Sequence, residues 1–86
     1  MPEIKLNLRG LKCPLPALKA RKSLSGLAAG DTLLLECTDP LTEIDIPNLV
    51  RETGDILEHR NREGTPQGAL FVFRIRKAAG PRKDRP

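Results

Sequence analysis

Hydrophobic and polar residues alternate near the start of the chain, and this pattern predicts a β-strand. Over residues 4–9, Ile, Leu and Leu alternate with Lys, Asn and Arg, which is the period of two expected of a half-buried strand. A second segment, residues 32–37 (TLLLEC), is almost continuously apolar and is bounded by Gly30-Asp31 and Asp39-Pro40. A short apolar run between turn residues is typical of a strand in the centre of a sheet.

Two segments carry apolar residues at helical spacing. The first predicted helix covers about residues 14–27, because proline suits the first helical position and the apolar residues that follow share one face. The second ends at Gly54, a residue type favoured just after a helix C-terminus. Its start is ambiguous. Thr42 as the cap leaves Pro47 deep in the helix, whereas Asp45 as the cap places that proline in the tolerant first turn, and a kink between the two is also plausible.

The remaining pattern completes the order β-α-β-α-β-β. Residues 55–62 are predicted as a strand, 63–68 as a loop and 69–77 as the last strand, with its aromatic residues on one face. This order favours an α/β (α+β) two-layer sandwich, in which two helices cover one face of a four-stranded mixed sheet. We expect a single domain over residues 1–77 and a disordered basic tail over 78–86, since that tail has nothing to bury.

Composition and charge exclude several classes of function. A chain of 86 residues forms one domain, and it has no apolar run near the 18 or so residues of a membrane span. The absence of Trp and Tyr removes the usual stacking platforms for nucleic-acid bases. Basic residues exceed acidic ones by six to one in residues 1–30 and 64–86, but acids exceed bases by nine to three in residues 31–63. We therefore expect a cytoplasmic monomer that binds neither membranes nor nucleic acid directly.

Cys13 is the candidate nucleophile. It is predicted to cap the first helix, where the helix dipole and free backbone N–H groups favour the thiolate and lower the thiol pKa. The positive charges of Arg9 and Lys12 are expected to lower this pKa as well. Pro14 and Pro16 remove two N–H donors from the first turn, but they stiffen it, so that the thiol lies on a rigid mount. We interpret Cys13 as reactive, against the alternative of a small buried hydrophobic residue.

The other candidate groups fit structural roles better. Cys37 ends an apolar strand, which is typical of an inert buried cysteine, although it could be a resolving partner for Cys13. His59 is the only imidazole; it is predicted to share a strand face with Leu57 and Asn61, and we interpret it as a surface residue. Two cysteines are too few for a disulfide scaffold and lack the close spacing of a zinc site, so no metal is expected.

A longer pattern surrounds Cys13 and resembles a known family. The segment L-x-x-R-G-L-x-C-P-x-P, residues 6–16, is similar to the signature of the TusA/SirA-like sulfur carriers. The resemblance continues through Thr38-Asp39-Pro40, Asp45-Ile46-Pro47 and Thr53-Gly54, and covers about residues 4–77. It implies a βαβαββ sandwich in which Cys13 carries sulfane sulfur as a persulfide.

The resemblance also implies roles for the neighbours of Cys13. Gly10 and the two prolines of the motif shape the loop, and Arg9 and Lys12 stabilise the sulfur anion. Leu15 stands where the tRNA-thiolation type has an acidic residue, and Asn7 stands where many members have Asp. Because Leu15 is predicted to point away from the core, we expect it to contact partner proteins together with the basic face of the first helix, Lys19 and Lys22.

The family implies partners rather than cofactors. Sulfur would come from a cysteine desulfurase or a rhodanese-like donor and pass to an acceptor protein of tRNA thiolation, sulfur oxidation or molybdenum-cofactor synthesis. Such a chain is a sulfurtransferase-type carrier and not a free-standing metabolic enzyme. Two alternatives remain at this point: a regulatory interaction module without sulfur chemistry, and a thiol redox protein that uses Cys13 and Cys37.

Overall fold

The chain folds in the order predicted from its sequence. The computed structural model describes residues 3–78. Its elements are β1 (Glu3–Leu8), α1 (Leu15–Ser25), β2 (Thr32–Cys37), α2 (Thr42–Thr53), β3 (Ile56–Thr65) and β4 (Gly68–Arg76). The predicted disordered tail falls almost wholly on residues 79–86, outside the described residues. Ala78, the first residue of the predicted tail, donates its backbone N–H to Asp55 Oδ1 at 2.9 Å.

The four strands form one mixed sheet, as predicted. The strand order is β1-β2-β4-β3, with β1 parallel to β2 and the other two pairs antiparallel. On β2, and on β4 from Phe71 onward, every second residue is buried and the residues between them are not. Because alternate residues of a strand point to opposite faces, only one face of the sheet is covered, and both helices pack on it.

The core lies between this face and the two helices. Alternating residues of β2 and β4 bury their side chains there, and β1 adds Leu8. In the helix layer, the buried apolar residues are Ala20 and Leu24 of α1 and Ile46, Leu49 and Val50 of α2. The buried strand residues that meet them are Leu33, Leu35, Cys37, Phe71, Phe73 and Ile75. Removing this apolar surface from water is the main force that holds the two layers together.

The helix ends differ in detail from the prediction. The first helix is shorter than expected, since Pro14 is its N-cap residue and Gly26 its C-cap. The second begins at Thr42 itself, so Pro47 lies inside it, and it ends at Thr53, with Gly54 as its C-cap residue at φ +81°. The early start is stabilised because buried Thr42 donates its hydroxyl to the Asp39 carbonyl at 2.7 Å. Neither helix within residues 3–78 is long and apolar enough to cross a membrane.

The predicted loop at residues 63–68 is wrong. Its first three residues continue β3, and Gly68 pairs with Thr65, so only Pro66 and Gln67 form the turn. Thr65 Oγ1 donates to the Gly68 carbonyl at 2.6 Å and accepts the Gln67 N–H at 3.2 Å. A tight two-residue turn, Pro66-Gln67, therefore joins β3 to β4, and the flanking residues Thr65 and Gly68 still pair with each other.

Candidate functional site

Cys13 lies in the loop that joins β1 to α1. The thiol is exposed, and the Cys13–Pro14 peptide bond is cis. Because Pro14 is the N-cap residue of α1, Cys13 precedes the cap by one position, and the prediction that it caps the helix itself is wrong. Pro16 is buried beneath the first turn. The turn is closed by Leu15, whose N–H donates to the Lys12 carbonyl at 2.8 Å.

The loop is tied to the segment that follows β2. Strands β1 and β2 are parallel and end side by side, with Leu8 opposite Cys37, so the segments that follow them leave the same edge of the sheet. Gly10, at φ +81°, donates its N–H to Thr38 Oγ1 at 2.9 Å. Three residues later, the Cys13 N–H donates to Asp39 Oδ2 at 2.6 Å. Residues from two parts of the chain thus fix the backbone that carries the thiol.

Asp39 is held in the charged form by these contacts. Its carboxylate accepts the N–H of Cys13, and it accepts the N–H of Leu41 at 3.1 Å through its other oxygen. Both hydrogen bonds, the one from Cys13 first, lower the pKa of Asp39. Burial opposes them, and the charge of nearby Lys12 lowers the pKa further. A fixed negative charge therefore lies directly beside the cysteine backbone.

A second carboxylate contacts the sulfur itself. Cys13 Sγ donates to Asp45 Oδ2, in the first turns of α2, at 2.8 Å. This hydrogen bond is the largest cause that raises the pKa of Cys13, followed by partial desolvation and by the negative charges of Asp45 and Asp39. The predicted lowering of this pKa is therefore wrong. The two carboxylates that raise it are brought to the thiol by the fold, from residues 39 and 45.

The two predicted supporting cations act on carboxylates. Arg9 forms an ion pair with Glu36 on β2, at 3.3 Å. Lys12 acts on Asp39, whose charge it stabilises. Neither cation is among the groups that shift the pKa of Cys13. Their proposed role toward a sulfur anion stays a prediction for the persulfide form.

A groove between α1 and α2 opens at Cys13. It encloses about 290 Å³. Its polar and charged lining residues are Cys13, Arg21, Asp45, Asn48 and Glu52. Arg21 and Glu52 pair with each other across the two helices at 2.6 Å, so their charges cancel. The remaining charge of the groove is the carboxylate of Asp45.

Exposed apolar side chains surround this end of the molecule. On α1, Leu15 is 44% and Leu18 55% exposed, and at the start of α2, Leu41 is 50% and Ile44 61% exposed. Sequence reasoning found Leu15 but missed Leu41, the N-cap residue of α2, and Ile44 within that helix. Apolar side chains gathered around an exposed thiol are typical of a surface that contacts other proteins.

The predicted basic docking residues lie on the same helix as Leu15. Lys19 and Lys22 are both exposed on α1, on the turns that follow it. The structure therefore leaves Leu15, Lys19 and Lys22 available to a partner, and their docking role stays a prediction.

Cys37 and His59 lie apart from this site. Cys37 is 0% exposed in the core, and burial raises its pKa to about 11 despite a hydrogen bond with Thr42. His59 is exposed on β3, at the opposite sheet edge from the strand that leads into the Cys13 loop. An irregularity in β3 pairs Leu57 with Ile75 but His59 with Arg74. Leu57 and His59 therefore lie on opposite faces of the sheet, and the prediction that they share a face is wrong.

Sequence reasoning missed Asp39 and Asp45 as parts of the site. They are 26 and 32 residues away from Cys13 in the chain, so no local pattern links them to it. The one available signal was that both belong to the blocks on which the family resemblance rests. In the part of the chain that the structure describes, no group of three or more His, Cys, Asp or Glu side chains could hold a metal ion.

Comparisons with known proteins agree on one family. Residues 4–77 match the family model for "Sulfurtransferase TusA". The chain is 36% identical over 73 residues to the sulfur carrier protein TusA of Allochromatium vinosum, an alignment that covers 85% of this chain and 91% of that protein. The crystal structure of a SirA-like protein from Desulfitobacterium hafniense has the same fold, with a TM-score of 0.65 over 91% of this chain and 99% of that one, at 20% identity.

Proposed function

The chain belongs to the TusA sulfurtransferase family and acts in sulfur relay, and from this premise we propose that Cys13 is the residue that carries the sulfur, as a persulfide. The observation that carries the proposal is the contrast between the two thiols. Cys13 is exposed and Cys37 is completely buried. Only an exposed sulfur can be approached by the cysteine of another protein.

The proposed transfer is a displacement at sulfur. The Cys13 thiol first loses its proton, because the thiolate is the nucleophile. The thiolate attacks the outer sulfur of a donor persulfide, a bond forms between that sulfur and Cys13 Sγ, and the sulfur–sulfur bond of the donor breaks. The electron pair of the broken bond leaves with the inner donor sulfur, which takes up a proton. An acceptor thiolate then removes the outer sulfur from Cys13 in the same way.

The rigid loop that carries Cys13 suits repeated sulfur transfer between proteins. Hydrogen bonds from Gly10 to Thr38 and from Cys13 to Asp39 fix the loop from outside, and Pro16 is packed beneath it. A sulfur that must meet two different partners in turn benefits from a backbone that does not have to be ordered at each encounter. Gly10, Pro14 and Pro16 are therefore proposed to shape the site and not to react.

The partners are a sulfur donor and a sulfur acceptor, as the family implies. We propose that both dock on the surface formed by Leu15, Lys19 and Lys22 of α1, extended by the exposed apolar residues around it. A cysteine desulfurase or a rhodanese-like protein fits the donor chemistry. The cytoplasmic location and the receiving pathway, whether tRNA thiolation, sulfur oxidation or molybdenum-cofactor synthesis, stay predictions.

The redox alternative has less support. A disulfide between Cys13 and Cys37 would require the second thiol to leave a core position in which it is 0% exposed. No comparable obstacle exists for persulfide transfer, which uses one thiol of this chain. The interaction-module alternative differs from the proposal in a single respect, namely that Cys13 would be dispensable.

Intact-mass spectrometry after incubation with a cysteine desulfurase and cysteine tests the proposal. The wild-type chain is expected to gain one sulfur, about 32 Da, that is lost on treatment with a reductant. Cys13→Ser is expected to gain nothing, and the matched control Cys37→Ser is expected to load like the wild type. Equal loading of Cys13→Ser and the wild type would overturn the assignment.

A further inference from the structure

Asp45 is bound differently from the other acidic residues. Within residues 3–78, five of the six glutamates pair with an arginine: Glu3, Glu36, Glu43, Glu52 and Glu58. Three aspartates instead accept backbone N–H groups: Asp31, Asp39 and Asp55. Asp45 has neither kind of contact, and its hydrogen-bond partner is the Cys13 thiol.

The charged groups around the thiol come from each element that packs near it. The loop of Cys13 contributes Lys12, the segment after β2 contributes Asp39, α1 contributes Arg21, and α2 contributes Asp45 and Glu52. Lys12 acts on Asp39, and Arg21 pairs with Glu52. The charge left without a basic partner among these groups is that of Asp45.

We propose that Asp45 holds Cys13 as the protonated thiol in the free protein, and that a basic side chain of the sulfur donor pairs with Asp45 on docking and so releases the thiolate. The inference rests on the proposed function, because it assigns to the donor the cation that starts the transfer. The kind of partner it identifies is a protein with an Arg or Lys close to its persulfide-bearing cysteine.

The groove has the geometry that this contact requires. Asp45 and Cys13 both line it, and its other charges cancel. A guanidinium or ammonium group in the groove would meet one net negative charge. Pairing would occupy the carboxylate oxygen that now accepts the thiol proton, and it would place a positive charge beside the sulfur. Both changes favour the thiolate over the thiol.

The step balances without a further reactant. On docking, the Cys13 proton leaves to water as the basic side chain takes its place at Asp45. The thiolate then forms a bond to the outer donor sulfur, and the donor sulfur–sulfur bond breaks with its electron pair on the inner sulfur. That sulfur takes up a proton, so the net change is one sulfur moved and one proton exchanged. In the free protein, the same hydrogen bond protects the thiol from alkylation and oxidation.

The first test measures the alkylation of Cys13 by iodoacetamide in the isolated chain from pH 6 to 10. Asp45→Asn and Asp45→Ala both remove the charge, and we expect each to react at least about threefold faster than wild type at pH 7, with the pH midpoint moved to lower pH. Asp45→Ala is included because an asparagine at this position still has a side-chain oxygen that accepts a hydrogen bond from the thiol. Glu43→Gln removes an equal charge from the same turn of α2 and is expected to leave the profile unchanged.

The second test measures sulfur transfer from two synthetic peptide persulfides that differ in one residue, an arginine or a norleucine next to the persulfide cysteine. The arginine peptide is expected to load wild-type Cys13 several-fold faster than the norleucine peptide. This advantage is expected to disappear in Asp45→Asn and to remain in Glu43→Gln. The comparison separates a contact with Asp45 from general attraction between the peptide and the protein.

Three outcomes would overturn the inference. They are an unchanged alkylation profile in both Asp45 variants, no advantage of the arginine peptide on the wild type, and an advantage that persists in Asp45→Asn. If neither peptide loads Cys13 in any variant, the proposed function fails, and the donor contact fails with it. In that case the alkylation profile still decides separately whether Asp45 restrains the thiol.

Discussion

The two cysteines of this chain lie in opposite surroundings and yet share one property. Cys13 is exposed in a loop and contacts a carboxylate, whereas Cys37 is buried at the end of β2. Both pKa values are raised, that of Cys13 mainly by Asp45 and that of Cys37 mainly by burial. The difference in cause matters more than the shared direction. A carboxylate can be neutralised by a partner, whereas burial persists for as long as the fold does.

The comparison explains how one small fold can hold an inert and a usable thiol. Strand β2 ends at Cys37, which is buried in the core, and the parallel pairing of β1 with β2 brings the Cys13 loop beside Asp39.

The largest effect is expected in the core around Cys37. Phe71 is its partner across β2 and β4 and is 3% exposed. Phe71→Ala is expected to lower the free energy of unfolding by about 3–5 kcal/mol, through lost burial and the cavity that remains. Leu18→Ala, in the exposed surface around Cys13, is expected to change it by less than about 0.5 kcal/mol. Urea unfolding measures both, and similar losses would contradict the division into core and docking surface.

The next largest effect is the expected difference between the labelling rates of Cys13 and Cys37. In the native protein at pH 8, iodoacetamide is expected to label Cys13 at least about 100-fold faster than Cys37, because Cys37 reacts only after local or global opening. Peptide mapping by mass spectrometry gives the two rates. In urea above the unfolding midpoint, the rates are expected to converge. Comparable native rates would show that the core around Cys37 opens readily.

The pH dependence of Cys13 labelling has a definite sign. Since Asp45 raises the pKa of Cys13 above its ordinary value, the thiol is the main form at pH 7 and the rate is expected to rise about tenfold per pH unit well below that pKa. A cysteine-containing tripeptide serves as the reference, and its labelling rate is expected to level off at lower pH. If the labelling rate of Cys13 levelled off at a lower pH than that of the tripeptide, the carboxylates would not be stabilising the protonated thiol.

The smallest effect is expected at Gly10, in the Cys13 loop. Gly10 lies at φ +81°, and an added Cβ meets no neighbouring atom, so Gly10→Ala is strained but does not clash. We expect it to destabilise the protein by about 1 kcal/mol. Gly64→Ala, at a glycine with equally open surroundings and no positive φ, is the matched control and is expected to be near neutral. Equal effects would mean that the loop adapts freely to a side chain at position 10.

Much of the fold could be predicted because its elements are defined by local patterns. The alternation at residues 4–9 and the apolar run at 32–37 identify β1 and β2. The hairpin turn could not be located as well, because Pro66 and Gly68 indicate a break without indicating its length. Pro47 was ambiguous for a similar reason, since the contact that starts α2 early is made by Thr42 with the Asp39 carbonyl.

The site was predicted less well, and the reason is distance along the chain. Local reasoning located Cys13, and from the predicted helix N-terminus and the basic neighbours it derived a lowered pKa. The groups that reverse the sign are Asp39, in the segment after β2, and Asp45, in α2. They meet the cysteine only through the strand register and the packing of α2. Arg9 is likewise neutralised by Glu36 on the neighbouring strand. Charges at a site are tertiary properties, whereas its nucleophile was evident in the sequence.

Loading and discharge of one thiol test the central claim most directly. The chain is first loaded by a persulfide donor, purified, and digested for site-resolved mass spectrometry, and a second sample is treated with an acceptor thiol before digestion. We expect one added sulfur on the peptide that contains Cys13, none on the peptide that contains Cys37, and return of the first peptide to its original mass after the acceptor is added. Sulfur on Cys37, or sulfur on Cys13 that no acceptor thiol removes, would contradict the claim.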